Sequence, residues 1–308
     1  MTAIAVRDLR KSYGELEAVR GLSFEVQVGE VFGLLGPNGA GKTTTVEILE
    51  GYRKRDAGDV EVLGTDPAKA GGDWRERIGV VLQSSAMYET VTVAESLKIF
   101  AGYYREPRPV DEVVELIGLQ DKRNNRVRLL SGGQRRRLDL GLALVGDPEL
   151  LFLDEPTTGF DPSARRQFWR VIEGLRELGK TIFLTTHYME EAQRLADRVA
   201  IVVSGRIVAE GTPSQLVAAD RDASAIRFRL PAGLSADELP PSIMASVGGD
   251  GSFTAEVSDP VRALHELTGW ALERGLDLDG LEVRRPSLED VYLQLTGDAA
   301  RANDEAEG

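Results

Sequence analysis

The sequence predicts an α/β fold built on a largely parallel sheet, with a helical insertion and a small α+β unit at the end. Three observations predict it. Short, continuous apolar runs recur at 31–35 (VFGLL), 78–82 (IGVVL), 149–154 (ELLFLD), 180–186 (KTIFLTT) and 197–203 (DRVAIVV), as expected of strands covered on both faces. Helical periodicity separates most of these runs, and a long stretch between the second and third holds no strand pattern. Beyond residue 220 the chain changes to short alternating strands around two helices.

Taken in order, Leu22, Phe24, Val26 and Val28 alternate with Ser23, Glu25 and Gln27, the period-2 pattern of a strand with one buried face. A turn at Val28-Gly29-Glu30 leads into VFGLL, and GPNGAGKTTTVEILEG then runs from strand through a glycine loop into a helix. Between Leu82 and Glu149, apolar periodicity predicts helices near 93–104, 111–118 and 133–146, an insertion spanning about 85–147. Asp161-Pro162 and Thr212-Pro213-Ser214-Gln215 are helix starts, each an N-cap with proline at the first turn. AIRFRL, SFTAEV and LEVRR are the strands of the last unit. Its helices start at Asp259-Pro260 and Pro286, the second with Leu288, Val291, Tyr292 and Leu295 on one face and Gly297 as its cap. AADRDASA reads as a polar linker, so the expected domains are 1–219 and 220–297, with a disordered acidic tail over 298–308.

The chain carries 37 Lys+Arg against 50 Asp+Glu, a formal charge of −13, which argues against a general nucleic-acid binder. The charge is uneven: residues 1–219 hold 29 basic and 32 acidic side chains, and residues 220–308 hold 8 and 18. No apolar run reaches the roughly 18 residues of a membrane span, and the first residues lack a signal-peptide core, so a cytosolic chain is expected. With no cysteine and only two histidines, His187 and His265, thiolate chemistry and a histidine-built metal centre are excluded.

Gly36, Pro37, Asn38, Gly39, Ala40, Gly41, Lys42 and Thr43, followed by Thr44, fit G-x-x-x-x-G-K-[ST], the loop whose backbone N–H groups cradle phosphates at a helix N-terminus. Lys42 should reach the β- and γ-phosphates and the Thr43 hydroxyl should bind Mg²⁺, making this a nucleoside triphosphate site. Asp154 and Glu155 end a buried strand, where open α/β sheets hold their ligands; Asp154 suits the Mg²⁺ role, and Glu155 is placed to polarise a water. Glu155 as an N-cap is the bland alternative. Ser131, Gly132, Gly133 and Gln134 precede a helix and offer a second anion-binding start, or simply an N-cap. The basic island Lys122, Arg123, Arg126, Arg128, Arg135, Arg136 and Arg137 has no interleaved aromatics, so a solvated helix face together with positive potential for phosphate around residues 130–134 is expected rather than a nucleic-acid surface.

The order of these segments (phosphate loop, Gln83 at a strand end, LSGGQ at 130–134, LLFLDEP at 150–156, His187 after another strand) resembles the ATP-binding-cassette ATPases over residues 3 to about 219. That resemblance implies a P-loop NTPase (RecA-like) core with an antiparallel β subdomain, and ATP and Mg²⁺ held between two protomers. It further implies Tyr13 stacking on adenine, Gln83 sensing Mg²⁺ and the membrane partner, Glu155 as general base and His187 at the γ-phosphate. Phe160 in TTGFDP and Ser96 after Glu95 depart from the family pattern at expected packing positions, and the intact motifs favour a homodimer. RRPSLEDVYLQLTG at 284–297 resembles the tail of the daunorubicin/doxorubicin exporter ATPases. This implies a separate ABC-2 type permease, attachment through it to the cytoplasmic face of the membrane, and export of a drug-like compound. A soluble cassette ATPase acting on DNA or ribosomes is the rival, disfavoured because the chain has neither a long coiled coil nor tandem cassettes.

Overall fold

A computed structural model describes residues 1–82, 88–219, 224–231, 234–248, 252–284, 287–293 and 295–297. The chain divides into two compact units, 1–213 and 214–308. The first contains β1 (Thr2–Tyr13), β2 (Leu16–Gln27), β3 (Val31–Leu35), α1 (Lys42–Leu49), β4 (Ala57–Val62), α2 (Gly72–Glu76), β5 (Ile78–Val81), α3 (Val93–Ala101), α4 (Val110–Leu116), α5 (Gly132–Leu144), β6 (Leu150–Asp154), α6 (Pro162–Glu177), β7 (Thr181–Thr186), α7 (Met189–Leu195), β8 (Arg198–Val203) and β9 (Arg206–Gly211).

The five apolar runs form one sheet in the order β5-β6-β7-β3-β8-β9, parallel throughout except for the hairpin strand β9. Every residue of β3, β6 and β7 is buried, because both faces are covered. Successive side chains point to opposite faces, so the strands feed two cores. Val31, Leu151, Leu153, Ile182 and Leu184 pack with the helical insertion and α6. Phe32, Leu34, Phe152 and Phe183 pack with α1 and with the antiparallel sheet β2-β1-β4. Phe183 lies at the centre of the second core, its ring centroid 5.7 Å from Phe32, 5.8 Å from Phe152 and 5.9 Å from Phe24.

Register places the strand ends side by side: Asp154 lies opposite Thr185 on β7, and Thr186 opposite Leu35 on β3. The segments leaving β6, β7 and β3 therefore emerge together at one sheet edge.

The helices expected near 93–104, 111–118 and 133–146 and those starting at Pro162, Pro213 and Pro260 occur at their expected places, and no strand lies between β5 and β6 among the described residues. Val28, expected on the buried face of a strand, is 56% exposed, because β2 stops at Gln27 and Val28 belongs to the turn. Phe160 rests edge-on against Phe168, centroids 6.0 Å apart, and Ser96 is buried with its hydroxyl donating to the Thr92 carbonyl at 3.0 Å, so both are packing positions.

α8 (Pro213–Ala219) starts at the last residue of the first unit, and the second unit goes on with β10 (Ser224–Arg229), β11 (Ala245–Val247), β12 (Phe253–Val257), α9 (Pro260–Glu273) and β13 (Asp279–Arg284). Its antiparallel sheet runs β11-β12-β10-β13, and Ile226, Phe228, Phe253 and Ala255 pack against Leu267 and Trp270 of α9. Asp259 caps α9 by accepting from the Arg262 N–H at 3.1 Å. Leu288 and Val291 are buried. Part of the expected linker (220–223), the helix start at Pro286 and the tail 298–308 lie outside the described residues. Among the described residues, no helix is long and apolar enough to cross a membrane.

Candidate nucleotide site

The glycine loop leaves the buried strand β3 and turns directly into α1. Its outer glycines are fixed by backbone packed behind them: a Cβ on Gly36 would stand 2.4 Å from the Val202 carbonyl oxygen, and one on Gly41, at φ +95°, 2.4 Å from that of Ala18. Pro37 is half-buried, Asn38 and Gly39 are exposed and Ala40 is buried, its N–H closing a turn to the Pro37 carbonyl at 3.2 Å. No side chain caps α1 at Gly41, so the first-turn amides at Lys42, Thr43 and Thr44 have no intrahelical or side-chain acceptor. An anion is the chemical complement of that end.

Lys42 is buried inside this loop. Its Nζ donates to the carbonyls of Gly36 and Pro37 at 2.8 and 3.0 Å and lies 3.7 Å from Glu155 Oε1. Burial pushes its ammonium below the ordinary lysine range, against the pull of Glu155 and Asp154. Carbonyl dipoles only partly replace water around that charge, which leaves room for a stronger, anionic partner.

Asp154 is 6% exposed and accepts from the Thr185 hydroxyl and, at 3.4 Å, from Thr43 Oγ1. Burial raises its carboxyl, Glu155 adds to the rise, and Thr185 and Lys42 oppose it. Among the described residues no three acidic or histidine side chains converge into a metal cage. One carboxylate beside one hydroxyl instead matches the sparse oxygen set that suffices for Mg²⁺ when phosphates complete it.

Glu155 leaves the strand direction at φ +43°, in the left-handed region, where a non-glycine residue is strained by about 1–3 kcal/mol. Its N–H is held by both the carbonyl and the hydroxyl of Thr185, each at 3.1 Å. The turn carries its carboxylate away from Asp154's role: Oε1 stands 3.4 Å from His187 Nδ1, and Oε2 accepts from Thr158 Oγ1 at 3.3 Å. His187 Nδ1 is buried without a hydrogen-bond partner, its approach to Glu155 falling outside hydrogen-bond geometry, and its ring lies tilted against that of Tyr188, centroids 4.1 Å apart. Lys42, Thr43, Asp154, Glu155 and His187 are thus brought together at one edge.

Tyr13 stands on the rim of the same loop, with its hydroxyl 3.3 Å from Thr44 Oγ1 and the Arg53 guanidinium over its ring at 5.2 Å. Ser131, Gly132, Gly133 and Gln134 form the start of α5. Ser131 Oγ accepts from the Gln134 N–H at 3.3 Å while Gln134 Oε1 accepts from the Ser131 N–H at 3.0 Å, a capping box. Gly133 packs against Ala164 of α6, where a Cβ would meet the Ala164 Cβ at 2.9 Å. The side-chain hydrogen bonds of Ser131 and Gln134 go to each other's backbone N–H groups rather than to the phosphate loop. Gln83 lies outside the described residues.

The basic island requires a correction. Arg136 is buried rather than solvated, its guanidinium donating to the carbonyls of Pro156 at 2.9 Å, Asp154 at 3.1 Å and Leu82. Arg137 caps the end of α4 through the carbonyls of Ile117 and Gly118, at 3.2 and 2.7 Å. Burial lowers both guanidiniums. Sequence reasoning also passed over Thr185, which serves both acidic residues, and Glu191. The latter is fully buried on α7, accepting from Thr157 Oγ1 and Trp169 Nε1, each at 2.9 Å, with its carboxyl pushed up by burial. For Thr185 the signal was available, as a polar pair ending an apolar strand just before His187; for Arg136 and Glu191 it was not, because a charged residue in a helical pattern reads as surface.

A phosphate loop, two carboxylates and a histidine at the carboxyl edge of a parallel sheet define a P-loop nucleoside triphosphatase. The ABC transporter family model matches residues 19–158, and the model of the C-terminal domain of ABC transporter domain-containing-like proteins matches residues 224–287. The chain is 40% identical to the daunorubicin resistance ATP-binding protein DrrA3 of Streptomyces coeruleorubidus, over 99% of both chains. It is 42% identical to the Nod factor export ATP-binding protein I of Paraburkholderia xenovorans, over 96% of this chain and 97% of the other. Among solved structures, CbiO1 of Clostridium perfringens, part of the ABC transporter complex CbiONQ, superposes with a TM-score of 0.64 at 27% identity, covering 70% of this chain and 91% of that one. The chain belongs to the ATP-binding proteins of ABC transporters. It binds and hydrolyses ATP as the ATPase subunit of such a transporter.

Proposed function

We propose that this subunit hydrolyses MgATP with Glu155 as general base and powers export through a separate ABC-2 type permease. The observation that carries the catalytic reading is the convergence of Glu155 Oε1 on His187 Nδ1 at 3.4 Å and on Lys42 Nζ at 3.7 Å. Lys42 exchanges its two carbonyl partners for the β- and γ-phosphates. The open first-turn amides of α1 and the backbone of Gly36 to Gly41 hold the remaining phosphate oxygens, and Tyr13 stacks on the adenine. Thr43, Asp154 and Gln83 would hold Mg²⁺, which would supply neutralisation of phosphate charge. Glu155, turned away from the strand, accepts the proton of the attacking water, and His187 contacts the γ-phosphate.

The start of α5 supports a dimer. Ser131 to Gln134 offer a second anion-binding helix end that engages no phosphate loop of its own chain, which suits a partner protomer's ATP. Two copies closing on two ATP molecules satisfy both ends, and hydrolysis removes the contacts that favour closure. We assign this work to residues 1–219, with the insertion 85–147 facing the permease, and an accessory role to 220–297. The relatives named for daunorubicin resistance and for Nod factor export support a hydrophobic or amphipathic cargo carried outwards, with the subunit held at the cytoplasmic face by its permease. In the test, Glu155→Gln should bind ATP, turn over about 10²–10⁴-fold more slowly and accumulate as an ATP-bound dimer. Wild-type turnover would refute the assignment of the base. Purification from its native host should bring down a hydrophobic membrane protein; ribosomes or DNA would refute the transport reading.

A further inference from the structure

Arg136 is a buried cation within the first turns of α5, three residues beyond Gly133, and it donates to backbone on a different element. Its Nε and Nη2 reach the carbonyls of Pro156 and Asp154, at 2.9 and 3.1 Å, the residues on either side of Glu155. Nη1 reaches Leu82, at the end of β5. Glu155 sits between these carbonyls in the left-handed conformation, with its own N–H taken by Thr185. A strained residue keeps such a backbone only where its surroundings over-determine it, and a planar fork bonded to both neighbouring carbonyls is such a determinant. The same fork is rigidly attached to the helix whose N-terminus is Ser131.

We infer that Arg136 is a positioning residue for the hydrolytic reaction: it fixes the backbone turn that aims the Glu155 carboxylate and ties that turn to the LSGGQ helix. The inference rests on Glu155 being the general base. Lysine would keep the charge at this site, but an ammonium on a flexible stem cannot reproduce the forked grip on carbonyls two residues apart. A displacement of the base by about an ångström suffices to cost around 100-fold in rate.

The test uses the full-length chain. Arg136→Lys should lower kcat for ATP by about 10- to 100-fold while KM stays within about twofold, because the phosphate loop and Tyr13 are untouched. In the Glu155→Gln background, Arg136→Lys should still yield the ATP-trapped dimer, since neither nucleotide binding nor closure runs through the base. Unchanged kcat in Arg136→Lys overturns the inference. So does a lower kcat accompanied by a raised KM or by loss of the trapped dimer, which marks general structural damage. Should Glu155→Gln alone turn over normally or fail to trap a dimer, the reading of the base itself fails, and that result is separate from any obtained with Arg136.

Discussion

Glu50→Gln should stabilise the nucleotide-free chain above neutral pH and leave its stability unchanged near pH 5. Glu50 closes α1, its N–H accepted by the carbonyls of Val46 and Ile48, and its Oε1 is buried without a hydrogen-bond partner. Burial, with smaller contributions from the Asp154 and Glu47 carboxylates, pushes its carboxyl up from 4.5 to about 8. A carboxyl raised by folding is protonated more tightly in the native chain than in the unfolded one. As pH climbs from 4.5 to about 8 the unfolded chain releases this proton first, so the wild type loses stability across that window. At about 1.36 kcal/mol per pH unit, the full interval sets a ceiling of about 5 kcal/mol. The side chain keeps partial contact with water, so the effective penalty is nearer 2 kcal/mol, to order of magnitude. Glutamine removes the penalty because it never ionises. Denaturant unfolding with a chelator and without nucleotide, at about pH 5 and about pH 8.5, measures the difference through the midpoints. An equal offset at both pH values would mean that ionisation of Glu50 is not the cause, because a packing effect of the amide does not titrate.

Lys42→Ala should weaken ATP binding by about 10- to 100-fold, because each charge-assisted bond to phosphate contributes about 1.5–3 kcal/mol; equilibrium binding of a fluorescent ATP analogue reads this, and wild-type affinity would contradict the role given to the loop. Phe183→Ala should destabilise the first unit by about 3–5 kcal/mol, since it empties the middle of the cluster formed by Phe24, Phe32 and Phe152. Thermal or denaturant unfolding checks it, and a cost below about 1 kcal/mol would show that the core collapses around the gap.

Much of the fold was legible because its strongest signals are local. Five apolar runs became five buried strands, and the proline-marked starts at Asp161 and Asp259 became capped helices, Asp161 accepting from the N–H groups of Ser163 and Ala164 at 2.8 and 2.9 Å. The strands β1, β4 and β9 were not singled out, because half-buried strands with mixed side chains carry little periodicity; in β9 exposed and half-buried positions merely alternate. Arg136 and Glu191 stayed hidden for a related reason. Their charge predicts solvent, and only the carbonyls, hydroxyls and indole converging on them make burial tolerable.

The strand, loop and helix that make a phosphate cradle, and the pair of acids ending a buried strand, are each encoded within a few consecutive residues, and the kinship with cassette ATPases is legible in the order of such short segments along the chain. Which of those residues meet depends on the tertiary fold. Parallel register brings the ends of β6, β7 and β3 into one row, so that Asp154 meets Thr43 and Glu155 meets His187 and Lys42 across long stretches of sequence. The left-handed turn at Glu155 then separates two adjacent carboxylates into two directions. Neither result is a property of any short segment: the first depends on which strands pair, and the second on the carbonyls and hydroxyls that hold the turn in place.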